Sequence, residues 1–160
     1  MKASSLKEIQ TELGFMHPRH LQELCLRMVK FRKENKELLT YLLFKAHDEQ
    51  AFILEVRTEI DGLFNDVNKS SLYLAKKTIR KILRTANKYI KYSGSRQTEV
   101  EIRIHFCRKL KASGISLMAN SVTGNIYASQ IKKIKNAMAF LHEDLQYDYA
   151  EELRQFTRFP

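Results

Sequence analysis

Apolar residues recur along much of this chain at steps of three and four, the spacing that lines one side of an α-helix. A short first helix over about 4–13 is stopped at Gly14. Pro18 suits the first turn of a second helix, on which Leu21, Leu24, Cys25, Met28 and Val29 form one stripe. The polar run from Arg32 to Glu37 predicts a break, with Asn35 capping a third helix through Leu38, Leu39, Leu42 and Leu43; one continuous helix is the alternative. Asp48 opens a fourth helix through Phe52, Val56, Ile60 and Phe64, and residues 65–68 form a loop.

The fifth helix, over about 71–92, is the clearest element, and Gly94 supplies its left-handed stop. Either Ser95 or Thr98 caps the sixth helix, Thr98 with Glu101 fitting a capping box, and Gly114 ends it. A seventh helix takes in Ile126, Ile131, Ile134, Met138 and Leu141; an eighth places Leu145, Tyr149, Leu153 and Phe156 on one stripe. The expected architecture is therefore all-α: one domain over residues 1–160 with seven or eight antiparallel helices. Helix starts near 21, 47, 71, 96 and 121 are roughly evenly spaced but share no residue signature, so a compact bundle and a short solenoid-like stack of helical hairpins both fit.

Composition narrows the class. Two prolines and five glycines are too few turn residues for an all-β fold of 160 residues. Hydrophobic residues at 44% and charged residues at 29% are those of a globular chain rather than a disordered one. No apolar run approaches the ~18–20 residues of a membrane span, and no secretory signal is evident, so a cytoplasmic protein is expected. Cys25 and Cys107 match no metal spacing and have apolar neighbours, which predicts two buried thiols.

Charge changes the picture most. The net charge is +10, and residues 67–115 carry 13 Lys/Arg against only Glu99 and Glu101, whereas the flanking segments are neutral to within one charge. At ~100° per residue, Lys77, Lys81, Arg84, Lys88 and Lys91 fall within an arc of roughly 80° on the fifth helix. Arg80 and Tyr73 adjoin that arc, while Leu72, Ala75, Ile79, Ile82, Ala86 and Ile90 lie opposite. One side suits a core and the other is a cationic ridge about 21 Å long at ~1.5 Å per residue. Lys77/Lys81, Arg80/Arg84 and Arg84/Lys88 are like-charged i,i+4 pairs, each repelling by a few tenths of a kcal/mol. An anionic partner would relieve that repulsion. So would plain solvation, or acids elsewhere in the chain such as Glu55, Glu59, Asp148 or Glu151.

At the end of the ridge, Ser95 and Arg96 enter a helix N-terminus, a setting suited to phosphate but equally to an ordinary helix–helix turn. Arg103, Arg108, Lys109 and Lys111 are expected to extend the positive surface onto the sixth helix. The candidate anion-binding set is Tyr73, Lys77, Arg80, Lys81, Arg84, Lys88, Lys91, Ser95, Arg96 and Arg103. Other tyrosines fall at core spacing, where packing with a bonded hydroxyl is expected.

Catalytic patterns are weak. No phosphate loop or dinucleotide fingerprint occurs, and His142-Glu143 lacks the second histidine of a zinc protease, Gln146 standing there instead. His20, His47-Asp48 and a later aspartate (Asp66, Asp144 or Asp148) resemble HD-type metal-dependent phosphohydrolases at those positions alone; Asp48 reads equally as a helix cap. On Tyr92-Ser93-Gly94-Ser95 and Leu141-His142-Glu143-Asp144 the chain resembles small bacterial all-helical proteins, which implies the helical fold and no activity. The expected function is non-enzymatic binding of nucleic acid through phosphate contacts, without cofactor, metal or small-molecule substrate. The alternative is a helical adaptor for an acidic protein.

Overall fold

A computed structural model describes residues 2–119 and 121–157; the side chain of Phe156, assigned above to the last apolar stripe, lies outside the described residues. The described chain is all-α, with eight helices: α1 (Leu6–Gly14), α2 (Pro18–Phe31), α3 (Lys33–Phe44), α4 (Glu49–Asn65), α5 (Leu72–Ser93), α6 (Arg96–Ala112), α7 (Val122–Met138) and α8 (Glu143–Thr157). None is long and apolar enough to cross a membrane. The described residues group into two compact units, one within 1–44 and one within 45–160.

The first unit holds α1 and the α2–α3 hairpin. Ser5 and Glu8 close a capping box on α1, and Pro18 sits at the start of α2 behind His17, whose ring accepts from the Arg19 amide. The break falls at Arg32, which turns extended, and not at Asn35. Asn35 lies inside α3 and its Nδ2 donates to the Met28 carbonyl at 2.8 Å, so it closes the end of α2 and does not cap α3. Cys25 is exposed, against the expectation of burial, because the α2 stripe that carries it has little packed over it in this unit.

The second unit is a bundle around α6. This helix touches α4, α5, α7 and α8, an arrangement that excludes a stack in which each hairpin meets only its neighbours. Val100, Ile102, Ile104, Phe106, Cys107 and Leu110 are all buried on it. From α4 come Phe52, Val56, Ile60 and Phe64, as the spacing predicts, and from α8 Tyr149 and Leu153. Burying side chains of this size contributes roughly 1.5–3 kcal/mol each. Burial pushes the Cys107 thiol up to about 12, so this cysteine is inert at neutral pH. Gly124 opens α7 where a Cβ would meet the Met118 and Leu117 carbonyl oxygens. Leu141 lies beyond the end of α7, its amide donating to the Met138 carbonyl in the turn that follows.

Polar groups also enter this interior, most with partners, although the buried Arg57 Nε has none. Glu101 accepts from Arg57 (2.8 Å), Gln97 (3.3 Å) and the Tyr149 hydroxyl (2.9 Å). Burial first, and then the Glu101 carboxylate, push the Tyr149 hydroxyl up to about 12. His105 Nε2 lies 2.6 Å from Asp61 Oδ1, and Lys109 reaches the other Asp61 oxygen at 3.0 Å.

Burial lowers the pKa of His105; Asp61 pulls it upward, and the nearby Arg57 and Lys109 charges push it down further. Burial works to raise that of Asp61, but hydrogen bonds from Lys109 and His105 hold it below the ordinary carboxylate value. Both shifts make acid destabilising. An unfolded histidine takes its proton near ~6.5, so as pH falls through that value the unfolded chain binds the proton first and stability drops. The Asp61 contribution is full above the ordinary carboxylate range and is lost as pH falls through its lowered folded value. Thermal melts should therefore fall between about pH 7 and 5.5, the window around the free histidine value, and the His105→Gln variant should flatten that step. An unchanged slope in the variant would assign the step to another group.

Candidate functional site

The N-cap of α5 is Ser71, whose hydroxyl accepts from the Leu74 amide at 3.4 Å. Its C-terminus closes at Gly94, where φ is 68° and the amide donates to the Ile90 carbonyl at 3.0 Å. That left-handed turn favours glycine. Between these stops Ala75, Ile79, Ile82, Ala86 and Ile90 are buried, and α5 packs against α4, α6 and α7. Leu72 is the exception to the expected apolar stripe: it occupies the first helical position and is 63% exposed, before α5 has reached its neighbours.

With this face fixed against the bundle, the opposite side chains point outward. Lys77, Arg80, Lys81, Arg84 and Lys91 are exposed or half-buried at the surface, and so are Lys76 and Lys88. Tyr73 is 75% exposed at the beginning of the stripe. Tyr73, Lys76, Lys77, Arg80 and Arg84 line one shallow hollow on this face. Lys76 joins the site although the wheel places it about 60° beyond the arc, at ~100° per residue.

Among the described residues, Lys76, Lys77, Arg80, Lys81, Arg84 and Lys91 have no carboxylate within ion-pair distance. Three of the four acids that could have masked the stripe are engaged with other groups, and Asp148 makes no ion pair with it among the described residues. Glu55 pairs with Lys45 at 2.5 Å, Glu59 accepts the Tyr89 hydroxyl at 2.7 Å, and Glu151 pairs with Arg154 at 2.7 Å. Glu49 accepts from the hydroxyls of Ser93 and Thr98 beneath the end of α5. Lys88 lies over the Tyr89 ring at 4.6 Å, a cation–π contact that holds its ammonium close to the helix.

The far end of the predicted site does not join this face. Ser95, not Thr98, caps α6: its hydroxyl accepts the Thr98 amide at 3.3 Å, and Thr98 is buried under Glu49. The cap occupies the Thr98 amide, one of the N–H groups that a phosphate at this helix end would have needed. Arg96 pairs with Glu99 at 2.9 Å, and its guanidinium lies 5.2 Å from the Phe140 ring centre.

Arg103 is corrected most. Only 6% exposed, it bonds Glu99 and Asn87, each at 2.9 Å, and Gln130 at 2.5 Å, so it is an interior strut and not a surface cation. Arg108 pairs with Glu152 and Lys109 with Asp61, and neither extends the stripe in the expected way. The reason is common to all three: α6 is surrounded, and its cations meet acids from its own helix and its neighbours.

Other candidates can be placed too. Asp48 caps α4, accepting the Ala51 amide at 3.0 Å. Among the described residues, no three His, Cys, Asp or Glu side chains gather in a group that would hold a metal ion. No family model matches this chain, and no curated protein or solved structure matches it either.

Proposed function

We propose that this protein is a non-enzymatic binding protein that receives the backbone of a nucleic acid along α5. One observation supports this above the others: five cations on one helix side, Lys77, Arg80, Lys81, Arg84 and Lys91, lack carboxylate partners among the described residues, while Arg57, Arg96, Arg103, Arg108 and Lys109 all have them. The α6 cations Arg96, Arg103, Arg108 and Lys109 meet carboxylates of the bundle, whereas this neighbouring row is left for an external anion. The spacing suits a polyanion, since the row runs for about four turns at ~5.4 Å per turn. Phosphate contacts of this kind position a nucleic acid without reading its sequence. Tyr73 favours nucleic acid over an acidic protein and single strands over duplexes, because an exposed ring beside cations stacks an unpaired base for roughly 1–3 kcal/mol.

The test is equilibrium binding of labelled DNA and RNA oligonucleotides of unrelated sequence at about 50 mM salt, the low end of the range over which phosphate contacts are read. Binding should be detectable, indifferent to sequence and tighter for single strands. Absence of binding to all of them overturns the nucleic-acid reading, and capture of an acidic protein through the same stripe would replace it.

A further inference from the structure

The α6–α7 hairpin carries a second hollow, apart from the one on α5. Arg96, Glu99 and Arg103 stand at i, i+3 and i+7 on α6 and form one wall. Lys133, Asn136 and Phe140 follow the same spacing along α7 into the turn beyond it and form the other. The space between them is about 430 Å³, within the size of small-ligand sites. Glu99 accepts from Arg96 and from Arg103, both at 2.9 Å, so this carboxylate is shared by two guanidinium groups. Arg103 also bonds Asn87 and Gln130 and serves as wall. Arg96 is exposed and uses one nitrogen on Glu99. Lys133 is exposed and, among the described residues, has no carboxylate within ion-pair distance. Three cations against one acid leave the hollow with a net charge of +2. The Arg96 guanidinium lies 5.2 Å from the centre of the Phe140 ring, which is 73% exposed and keeps a face open.

The hollow adjoins the α5 row. Arg103 bonds Asn87 at 2.9 Å, and Asn87 stands three residues after Arg84 and four before Lys91, on their side of the helix. We propose that this hollow receives the phosphorylated end of a single strand whose backbone runs along α5. A phosphate monoester carries about −1.5 to −2 charges at pH 7, whereas each internal phosphodiester carries a single one. Single cations spaced along α5 suit the diesters; a hollow of net +2 suits the monoester. Arg96 and Lys133 take its oxygens by charge-assisted hydrogen bonds, and the open face of Phe140 stacks the end base. The inference rests on the reading of α5 as a strand-binding row and adds an end preference to a contact otherwise indifferent to sequence.

The experiment is equilibrium binding of one oligonucleotide sequence in three forms, phosphorylated at its 5′ end, at its 3′ end or at neither, at about 50 mM salt. At least one phosphorylated form should bind about tenfold tighter than the hydroxyl-ended strand, the scale of one charge-assisted hydrogen bond, and the comparison identifies the end. Lys133→Gln should cut that ratio severalfold and Lys133→Arg should keep it. The side chain is exposed and makes no ion pair among the described residues, so neither change disturbs the fold. Phe140→Ala should weaken the phosphorylated strand about tenfold, the loss of one base stack. A protein that binds none of the three forms overturns this inference together with the reading of α5. Equal affinity for all three in a protein that binds them overturns this inference alone, and so does an end preference that Lys133→Gln leaves intact.

Discussion

Replacing Arg80, Lys81 and Arg84 together by glutamate should lower the affinity for single-stranded DNA or RNA on the order of a thousandfold at about 50 mM salt. The figure is the electrostatic share of three phosphate contacts, ~0.7 counterions each on a single strand, over the decade and more between about 50 mM and 1 M. All three side chains lie on the outer side of α5 and have no ion pair among the described residues, so their reversal leaves the described packing intact. The helix itself should gain. Acids at positions 81 and 84 would face Lys77 and Lys88 as attractive i,i+4 pairs, while 80 with 84 and 81 with 84 would remain like-charged. A variant that melts no lower than the wild type yet has lost binding places the contact on α5. One that binds with wild-type affinity removes α5 from the interface.

The opposite behaviour is expected of Arg103. An Arg103→Met substitution should cost about 3–5 kcal/mol, the range for taking one member from a buried, hydrogen-bonded charge network. Glu99 would lose one of its two guanidinium partners, and Asn87 and Gln130 would each lose a donor in the interior. At roughly 2–4 °C per kcal/mol for a chain of this size, the melt should fall by about 10 °C. Arg103→Lys should recover little, because one ammonium cannot supply the planar fork that reaches Glu99, Asn87 and Gln130 at once. Nucleic-acid binding by the folded fraction should be unchanged. A loss under about 1 kcal/mol, the range of a solvated surface cation, would contradict the placement of Arg103 in the interior.

Arg84 and Arg103 show what could be read from the chain and what could not. Arg84 belongs to a helix with one packed side, so its sequence separates cleanly into isoleucines facing in and cations facing out. Ala75, Ile79, Ile82, Ala86 and Ile90 fall where a wheel places them, and so do the cations. Arg103 belongs to a helix that packs against four others. Enclosure removes the polar side on which periodicity depends, and Val100, Ile102, Ile104 and Phe106 even alternate at the two-residue step of a strand. What makes that stretch a buried helix is the set of partners waiting in distant segments: Arg57, Asp61, Asn87, Gln130 and Tyr149. Pairings separated by tens of residues leave no local trace.

Smaller misreadings have the same origin. Thr98 resembles a cap because a glutamate follows three residues later, but Glu101 is committed to Arg57, Gln97 and Tyr149, and Thr98 itself is buried under Glu49. Asn35 resembles a cap for the helix around Leu38, and its side chain instead turns back to the Met28 carbonyl. Where chain-local chemistry has no competitor, at Asp48 and Gly94, the starts and stops stand as the residues imply.

The most direct measurement of the account is the salt dependence of oligonucleotide binding by the intact protein. Five phosphate contacts, one for each of Lys77, Arg80, Lys81, Arg84 and Lys91, give a slope of about −4.5 in log affinity against log salt on duplex DNA at ~0.9 per contact, and about −3.5 on single strands at ~0.7. Affinity that stays level as salt rises, or a slope that the triple glutamate variant leaves in place, would mean that these side chains carry their charge for solvent alone.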